Sequence, residues 1–328
     1  MGGSGSLIVG AGAGVMDIFH FRQFEEPGPH HAVLTIGNFD GVHLGHQALI
    51  RQVVREAREM DAKSALLTFQ PHPQSVLRPD PPPMITTLPL RLRLFEQLGL
   101  DSAYVIPFTR ELASKPPETF VREYLLAYFQ VKKLVIGFDF QFGRDRMGSA
   151  EVLERLSREN GFALEVFPEV SLGADKVSSS RIRAVLAEAE FVLAGQLLGR
   201  PFSVLETVVE GERRGRRLGF PTLNQVPGER LPLPFGVYAS RTVARGRTYD
   251  GVSNYGLRPT VGAARPTLET YLFEDVEHLY GELVEVFPLR LLRAERRFPS
   301  LEALKEQIAL DRDQAQAYLE GLAAGAAS

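Results

Sequence analysis

The stretch Ala32–His46, AVLTIGNFDGVHLGH, decides the fold of the first half of the chain. Its opening run, Ala32–Phe39, is apolar and of strand length, as is typical of strands buried on both faces of a sheet. The residues after it repeat apolar side chains at three- and four-residue spacing, which predicts one buried helix face: Leu49, Ile50, Val53, Val54 and Ala57. Gly37, Gly41 and Gly45 permit a tight turn in between. The stretch therefore predicts a strand, a glycine-rich turn and a helix.

The same alternation continues to about Leu186. Further apolar runs of strand length are Ser64–Phe69, Ala103–Phe108 and Leu134–Phe140. Helical patterns cover Glu118–Gln130 and Glu151–Asn160, and Gly161 is expected to end the second of these helices. Alternating strands and helices predict a parallel sheet with helices on both faces. We therefore expect an α/β N-terminal domain with a Rossmann-like parallel sheet.

From about Leu198 the pattern changes to short runs rich in β-branched and aromatic residues, separated by Gly, Pro and charged turns. These runs are Ser203–Val209, Val237–Val243, Thr267–Phe273 and Leu283–Leu291. They favour an antiparallel β-barrel or sandwich. The segment from Ser300 to Leu322 predicts a terminal helix, with Ser300 as a weak cap signal. Its expected apolar face consists of Leu301, Leu304, Ile308, Ala315, Leu319 and Leu322.

The expected domains are residues 16–187 and 188–324, because the change of pattern falls near 188–199. Residues 1–15 are expected to be an added tag or a disordered extension, since they begin MGGSGS. The fragment Gly10–Val15, GAGAGV, lacks the third glycine of a dinucleotide-binding turn and is interpreted as a flexible linker.

Composition excludes several classes of protein. The 328 residues are 44% hydrophobic and 23% charged, which is ordinary globular usage. A net charge of −3 does not favour nucleic-acid or membrane-surface binding. The sequence has no apolar run of 18 residues, so we expect no membrane span. It also has no cysteine, which permits a cytoplasmic location. The oligomeric state is left open.

The first candidate site is the turn Gly37–His46. His43 and His46 lie three residues apart and would share a face in the first helical turn. Imidazole donors at a helix N-terminus suit the negative charge that builds up when the α-phosphate of ATP is attacked. Gly37, Phe39 and Gly45 belong to the same predicted phosphate-binding turn. One alternative is a plain strand–helix turn. Another is a zinc site, although His30, His31 and His72 lack the spacing of zinc ligands.

Two further motifs in the first half suit a nucleotide or a flat ring. The run Val177–Arg183, VSSSRIR, offers hydroxyls and guanidinium groups to a polyphosphate, and its alternative is a serine-rich helix cap with surface arginines. The run Gly137–Gly148, GFDFQFGRDRMG, carries three phenylalanines that either line a pocket for a flat ring or fill a core. The candidate phosphate-binding residues of the first run are Ser178, Ser179, Ser180, Arg181 and Arg183.

The second half carries a basic, glycine-rich motif, Gly211–Asn224, GERRGRRLGFPTLN. Gly215 and Gly219 would let phosphates approach the backbone. Thr222 and Asn224 are two apart, so in an extended chain they share a face and offer neutral oxygens to an Mg²⁺ ion that also binds the phosphates of ATP. Glu269 follows in an apolar strand and is a candidate general base. The alternatives are a basic turn and a solvent-facing strand glutamate.

In this order the motifs resemble those of the bacterial bifunctional riboflavin kinase/FAD synthetase family. The resemblance spans about Met16 to Leu322. Its other marks are TFQPHP (Thr68–Pro73), LLGRPF (Leu197–Phe202), FGVYA (Phe235–Ala239), GLRPT (Gly256–Thr260) and LETYLF. The resemblance implies that the barrel phosphorylates riboflavin to FMN with ATP. It also implies that the α/β domain adenylylates FMN to FAD with a second ATP, releasing pyrophosphate, and that both reactions need Mg²⁺.

The resemblance also implies residue roles. His43 and His46 steady the α-phosphate, and the segment from Ser178 to Arg183 binds phosphates. Thr222 and Asn224 hold Mg²⁺–ATP, and Glu269 is the base for the ribityl hydroxyl. The implied flavin-side residues are Asp139, Phe140 and Arg258. Two positions depart from the family pattern, with Leu223 in place of the usual Ala and Ser180 in place of the usual Thr.

Three alternatives remain at this point. The first is a nucleotidyltransferase for another acceptor, with a barrel of unrelated duty. The second is a nucleotide- or flavin-binding module without catalysis. The third is a nucleic-acid-binding barrel, which only the arginines at 213–217 favour.

Overall fold

The computed structural model describes residues 16–20, 31–173, 175–211, 219–260, 263–276 and 279–326. These residues form two compact units. The first comprises the described residues up to Pro82 together with Arg91–Ser178, and the second comprises Pro83–Leu90 and the chain from Ser179 onward. The expected functional domains, 16–187 and 188–324, stay a prediction. No helix in the described ranges is long and apolar enough to cross a membrane.

The first unit contains a six-stranded sheet in which all neighbouring strands are parallel. Its strands are β1 (Asp17–His20), β2 (Ala32–Ile36), β3 (Lys63–Phe69), β4 (Ser102–Ile106), β5 (Lys133–Gly137) and β6 (Ala163–Phe167), in the order β1-β4-β3-β2-β5-β6. A short antiparallel pair follows, β7 (Ser171–Leu172) and β8 (Asp175–Lys176). The predicted α/β class with a parallel sheet is confirmed.

Helices cover both faces of this sheet. They are α1 (Leu44–Glu59), α2 (Pro73–Leu77), α3 (Leu88–Gln97), α4 (Arg110–Ala113), α5 (Pro117–Phe120), a π-helical segment (Val121–Tyr128) and α6 (Ala150–Asn160). Successive side chains of a strand point to opposite faces of the sheet, so alternate β2 residues pack into the two hydrophobic cores on its two faces. Val33 packs in the cluster that contains Ile50 of α1, whereas Leu34 packs with Leu125 of the π-helical segment.

The predicted buried face of α1 is confirmed at all five positions. Helix α6 ends at Gly161, whose φ of +76° is the left-handed cap that glycine accepts readily. The predicted strands Ala32–Phe39 and Leu134–Phe140 run too far, because the structure ends them at Ile36 and Gly137. Beyond Ile36 the chain turns sharply, and Phe39 has a φ of +49°, which no strand allows.

The strand order positions the first candidate site. Strand β2 lies between β3 and β5, and the direction in which the chain moves across the sheet reverses at the β2–β5 boundary. In open α/β sheets, ligands bind outside the carboxyl ends of the strands at such a switch point. The Gly37–His46 turn follows β2, and the run from Phe138 to Gly148 follows β5. Two predicted motifs therefore lie at the switch point.

The second unit is a closed antiparallel barrel. Its strands are β9 (Val204–Val209), β10 (Thr222–Gln225), β11 (Gly236–Ala244), β12 (Arg247–Thr260), β13 (Ala263–Leu272) and β14 (Leu283–Ala294), in the order β10-β13-β12-β11-β14-β9. Pairing of β9 with β10 closes the ring. The helices are α7 (Ser179–Ala187), α8 (Phe191–Leu198) and α9 (Leu301–Ala326). A barrel, rather than a sandwich, is therefore the correct reading of the strand pattern.

The terminal helix α9 is confirmed, and its apolar face is partly wrong. Ser300 caps the helix, because its Oγ accepts a hydrogen bond from Ala303 N at 3.1 Å. Ala315 and Leu319 are buried, but Leu301 is 63% exposed and Leu322 is 40% exposed. The buried face instead includes Asp311, whose carboxylate accepts hydrogen bonds from Nε and Nη2 of Arg293 in β14. Burial is thus concentrated where that ion pair joins the helix to the barrel.

Candidate active sites

The two histidines of the first unit form a stacked pair at the start of α1. His43 is the cap residue, and its Nδ1 accepts a hydrogen bond from the backbone N–H of His46 at 3.4 Å. The two ring centroids are 3.6 Å apart with an interplanar angle of 18°. Because Nδ1 of His43 is an acceptor, a neutral His43 carries its proton on Nε2. The predicted sharing of a face is confirmed.

The electrostatics of the site favour a neutral His46 imidazole. Burial of the ring, with a smaller contribution from the neighbouring His43, lowers the pKa of His46 well below 6.5. The Nδ1 atom of His46 is buried and has no hydrogen-bond partner within the described chain. At neutral pH the His46 ring is therefore uncharged.

The turn before the histidines is tightly packed. Phe39 is 4% exposed and meets the His46 ring edge-on, with centroids 5.2 Å apart. A Cβ at Gly45 would lie 3.2 Å from Cε1 of His43, and one at Gly37 would lie 3.1 Å from the Phe39 ring. These two glycines thus allow the backbone to lie close against the rings of His43 and Phe39.

The predicted flavin-side residues after β5 are near one another but differ in environment. Asp139 is exposed, and Phe140 is half-buried and stacks on Phe142 with centroids 5.6 Å apart. Phe138 is 42% exposed, and the Lys176 ammonium lies 4.1 Å from its ring centroid. Phe140 and Phe142 pack against the core, as the second interpretation of this run predicts, while Phe138 faces outward. A pocket for a flat ring stays a prediction.

The serine–arginine motif begins a helix. Ser179 is the first residue of α7, Ser178 precedes it, and the division between the two compact units falls between them. Ser180 is exposed, and Arg181 is half-buried. Arg183 donates from Nε to the backbone oxygen of Pro83 at 2.8 Å. The predicted binding of phosphates by this motif stays a prediction.

In the barrel, Asn224 and Glu269 stand side by side on neighbouring strands. Asn224 of β10 pairs with Glu269 of β13, and Glu269 pairs in turn with Asn254 of β12. The next residue on each strand, such as Gln225 or Leu268, is buried in the barrel interior. Because side chains alternate along a strand, the row from Asn224 to Asn254 lies on the outer face. Thr222 shares this face, as the two-residue spacing predicts.

The residues around Asn224 fit a divalent metal. Asn224 is 5% exposed, and its Oδ1 is buried without a hydrogen-bond partner in the part of the chain that the structure describes. Its Nδ2 donates to the backbone oxygen of Thr222 at 3.2 Å, which leaves Oδ1 as the atom available to a ligand. A Cβ at Gly211 would lie 2.5 Å from Nδ2, so glycine lets this backbone cover the amide. A buried neutral oxygen beside a threonine hydroxyl suits Mg²⁺ bound to phosphates.

A cavity of about 100 Å³ adjoins Thr222. Its lining includes Pro221, Leu223, Glu274, Asp275 and Tyr280. Thr222, one of the two candidate metal ligands, therefore also lines this cavity. Leu223, where the family pattern has Ala, contributes to the wall of this pocket.

Some predicted residues lie outside the description. Gly215 is not among the described residues, and nor is the side chain of Arg258, whose backbone belongs to β12. Gly219 is described and has a φ of +87°, a conformation that favours glycine. Among the described residues, no group of three or more His, Asp or Glu side chains could hold a metal ion.

Sequence reasoning missed two residues near these sites. Asn254 sits beside Glu269 only because of the β12–β13 register, which the sequence does not reveal. Arg91 of α3 is 1% exposed and donates to the backbone oxygen of Asn38 in the histidine turn. An arginine between leucines in a helix gives no sequence signal for such a contact.

Comparisons with known proteins cover both units. A family model described as FAD synthetase matches residues 25–181, and one described as riboflavin kinase matches residues 198–319. The bifunctional riboflavin kinase/FMN adenylyltransferase of Escherichia coli K12 is 37% identical over 289 residues, covering 87% of this chain and 92% of the relative. Its Bacillus subtilis 168 counterpart is 35% identical over 309 residues, covering 90% and 97%.

A solved structure agrees with this assignment in fold. A chain from Streptococcus pneumoniae, described as a macrolide-efflux protein, aligns with a TM-score of 0.71 and 30% sequence identity, covering 90% of this chain and 97% of its own. This likeness concerns the fold, and the activities follow from the family models and the curated relatives. The match of both halves answers the alternative of an unrelated barrel. The chain belongs to the family of bifunctional riboflavin kinase/FMN adenylyltransferases.

Proposed function

We propose that the stacked pair His43–His46 performs FMN adenylylation and that Thr222, Asn224 and Glu269 perform riboflavin phosphorylation. The two reactions themselves follow from the family. The chain phosphorylates riboflavin to FMN with ATP and adenylylates FMN to FAD with a second ATP, releasing pyrophosphate. The observation that carries the proposal is the placement of the histidine pair at the switch point of the parallel sheet.

In adenylylation, an oxygen of the FMN phosphate attacks the α-phosphorus of ATP. A P–O–P bond forms, and the bond to the departing pyrophosphate breaks. Negative charge increases on the oxygens of the α-phosphate, which the N–H groups of His43 and His46 stabilise by hydrogen bonds. The start of α1 adds its positive dipole end. The segment Ser178, Ser179, Ser180, Arg181 and Arg183 holds the pyrophosphate, and Asp139 and Phe140 lie on the flavin side.

The low pKa of His46 fits this role. A neutral imidazole donates a hydrogen bond without the desolvation cost of a buried cation. The ring contact with Phe39 fixes its orientation before substrate arrives. Removal of one preorganised donor of this kind lowers kcat about 10²–10³-fold.

In phosphorylation, the carboxylate of Glu269 accepts the proton of the terminal ribityl hydroxyl as that oxygen attacks the γ-phosphorus of ATP, and ADP leaves. The Thr222 hydroxyl and Asn224 Oδ1 would hold Mg²⁺ together with the ATP phosphates. When bound, the metal supplies charge neutralisation to those phosphates. The pairing of Asn224 with Glu269 keeps the base next to the metal ligands. Gly215, Gly219 and Arg258 are assigned here to nucleotide and flavin binding. A cytoplasmic location stays a prediction.

The adenylylation half is tested with two variants at one position. His46→Phe keeps a flat ring but loses the donor, and we expect kcat for FMN adenylylation to fall about 10²–10³-fold. His46→Gln keeps an N–H donor, and we expect its kcat for FMN adenylylation to be higher than that of His46→Phe. Equal activity of His46→Phe and the unmodified chain would contradict the proposal.

The phosphorylation half is tested with Glu269→Gln, which keeps the size of the side chain but removes the base. We expect kcat for riboflavin phosphorylation to fall about 10²–10⁴-fold. Supplied FMN should still be converted to FAD at the unmodified rate, which shows that the chain is folded. Undiminished FMN production by this variant would refute the role of Glu269.

A further inference from the structure

A buried arginine supports the turn that carries the histidines. Arg91, on α3, is 1% exposed. Its Nη1 donates to the backbone oxygen of Asn38 at 2.8 Å, and its Nη2 donates to Oε1 of Gln70 at 3.0 Å. Asn38 lies in the turn after β2, and Gln70 is the first residue after β3. One guanidinium therefore ties together the carboxyl ends of two neighbouring strands.

The turn that Arg91 holds is conformationally strained. Phe39 has a φ of +49° and Val42 a φ of +41°, values that non-glycine residues rarely adopt. Such conformations persist only where the surrounding structure holds them in place. The backbone oxygen of Asn38 also accepts a hydrogen bond from Thr68 Oγ1 at 3.3 Å, so two donors fix the residue before Phe39.

Helix α3 makes a second contact with the same turn. Phe95, one helical turn after Arg91, is fully buried and meets the Phe39 ring edge-on at 5.8 Å. The Phe39 ring in turn meets the His46 ring at 5.2 Å. Helix α3 thus contacts two successive turn residues, Asn38 and Phe39, and Phe39 contacts the imidazole of His46.

We propose that Arg91 is a positioning residue for adenylyl transfer, acting on His46 through Asn38 and Phe39. The inference rests on the proposed role of the histidine pair. Arginine suits this task because its planar fork presents N–H donors in fixed directions to two acceptors at once. A lysine offers a single flexible point and can satisfy one acceptor well. Methionine fills the space and satisfies neither acceptor.

The test compares Arg91→Met and Arg91→Lys in the full chain. For Arg91→Met we expect kcat for FMN adenylylation to fall at least about ten-fold, because small misplacements of catalytic groups are costly. The KM values for FMN and ATP should change less than about two-fold, since Arg91 acts on the transition state through His46. Arg91→Lys should fall between Arg91→Met and the unmodified chain. Riboflavin phosphorylation by the same chain should be unchanged in both.

Lys133→Met is the matched control for simple destabilisation. Lys133 is a partly buried cation that forms an ion pair with Glu56 at 2.8 Å. It is the first residue of β5, so it lies at the amino ends of the strands, away from the carboxyl ends that Arg91 joins. We expect its replacement to lower the midpoint of thermal unfolding without lowering kcat for adenylylation in the folded range. If Arg91 has a positioning role, Arg91→Met should have a lower kcat for adenylylation than Lys133→Met when the same fraction of each variant is folded.

Two results would overturn the inference. One is an Arg91→Met variant whose activity falls only in proportion to its folded fraction, as Lys133→Met would. The other is a rise in KM at unchanged kcat, which would make Arg91 a substrate-binding residue. His46→Phe, measured in parallel, separates the two claims. If His46→Phe is inactive while Arg91→Met keeps full kcat, only the positioning role fails. If His46→Phe is fully active, the proposed function fails.

Discussion

Adding one methyl group at Gly211 should disable riboflavin phosphorylation and leave FMN adenylylation intact. A Cβ at this position would lie 2.5 Å from Nδ2, 2.6 Å from Cγ and 2.7 Å from Oδ1 of Asn224. Ordinary contacts begin at 3.4 Å, so one of the two groups must move by about 1 Å. Asn224 is short and buried on β10, and its amide is tied to Thr222. The methyl group therefore displaces the Oδ1 atom that we assign to Mg²⁺.

A displacement of about 1 Å at a catalytic group can cost about 10²-fold in rate. We expect Gly211→Ala to lower kcat/KM for riboflavin by that order and to raise the Mg²⁺ concentration needed for half-maximal rate. Overpacking should also reduce the free energy of unfolding by about 1–3 kcal/mol. The assay is the initial rate of FMN formation across a Mg²⁺ series, with FAD formation from supplied FMN measured on the same preparation.

Gly228→Ala is the matched control, because a Cβ at Gly228 meets nothing within 4 Å. We expect this variant to behave like the unmodified chain in both reactions. Normal kinase activity of Gly211→Ala at an unchanged Mg²⁺ requirement would refute the assignment of Asn224 Oδ1 to Mg²⁺. An equal loss of kinase activity in both variants would refute it as well.

Three further predictions concern protonation, packing and metal binding. Because burial lowers the pKa of His46, the unfolded chain binds a proton at this ring more readily than the folded chain does. The contribution of His46 to the free energy of unfolding is therefore complete above about pH 6.5 and declines below it. Urea titrations should show that the free energy of unfolding falls by up to about 1.4 kcal/mol between pH 7.5 and 5.5, and this fall should be absent in His46→Phe. Asp311→Ala leaves the guanidinium of Arg293 without its partner and should lower the free energy of unfolding by about 3 kcal/mol, whereas a loss below about 1 kcal/mol would contradict a structural role for this pair. Thr222→Val should raise the Mg²⁺ requirement of riboflavin phosphorylation at least about ten-fold without changing that of adenylylation, and equal shifts in both would contradict the assignment.

The parts of the fold and the sites that are local in sequence could be predicted from it. Three features each depend on one contiguous stretch of sequence with one residue spacing. They are the histidine turn, the buried face of α1, and the shared face of Thr222 and Asn224. The barrel register could not be predicted, because it pairs Asn224 with Glu269 across a long intervening segment. Nothing local distinguishes Glu269 from a solvent-facing strand glutamate.

Buried polar residues account for two further differences between the prediction and the structure. Asp311 occupies the buried face of α9, so a pattern based on apolar residues alone extended that face to Leu301 and Leu322 at the helix ends. Arg91 resembles a surface arginine in sequence, and its burial becomes visible only when α3 is packed against the turn after β2. In both cases a charged group is buried because a partner elsewhere in the chain satisfies it.

The central claim is that one half of the chain cleaves ATP at the α-phosphorus and the other half at the γ-phosphorus. The direct measurement follows two labels, ³³P in the α-position and ³²P in the γ-position of ATP, into flavins separated by chromatography. From riboflavin, the unmodified chain should give FAD that carries both labels in equal amounts. His46→Phe should give FMN with the γ-label and almost no FAD. Glu269→Gln, supplied with FMN, should give FAD that carries the α-label alone. Loss of both transfers in either folded variant, or a γ-label in FAD made from supplied FMN, would contradict the account.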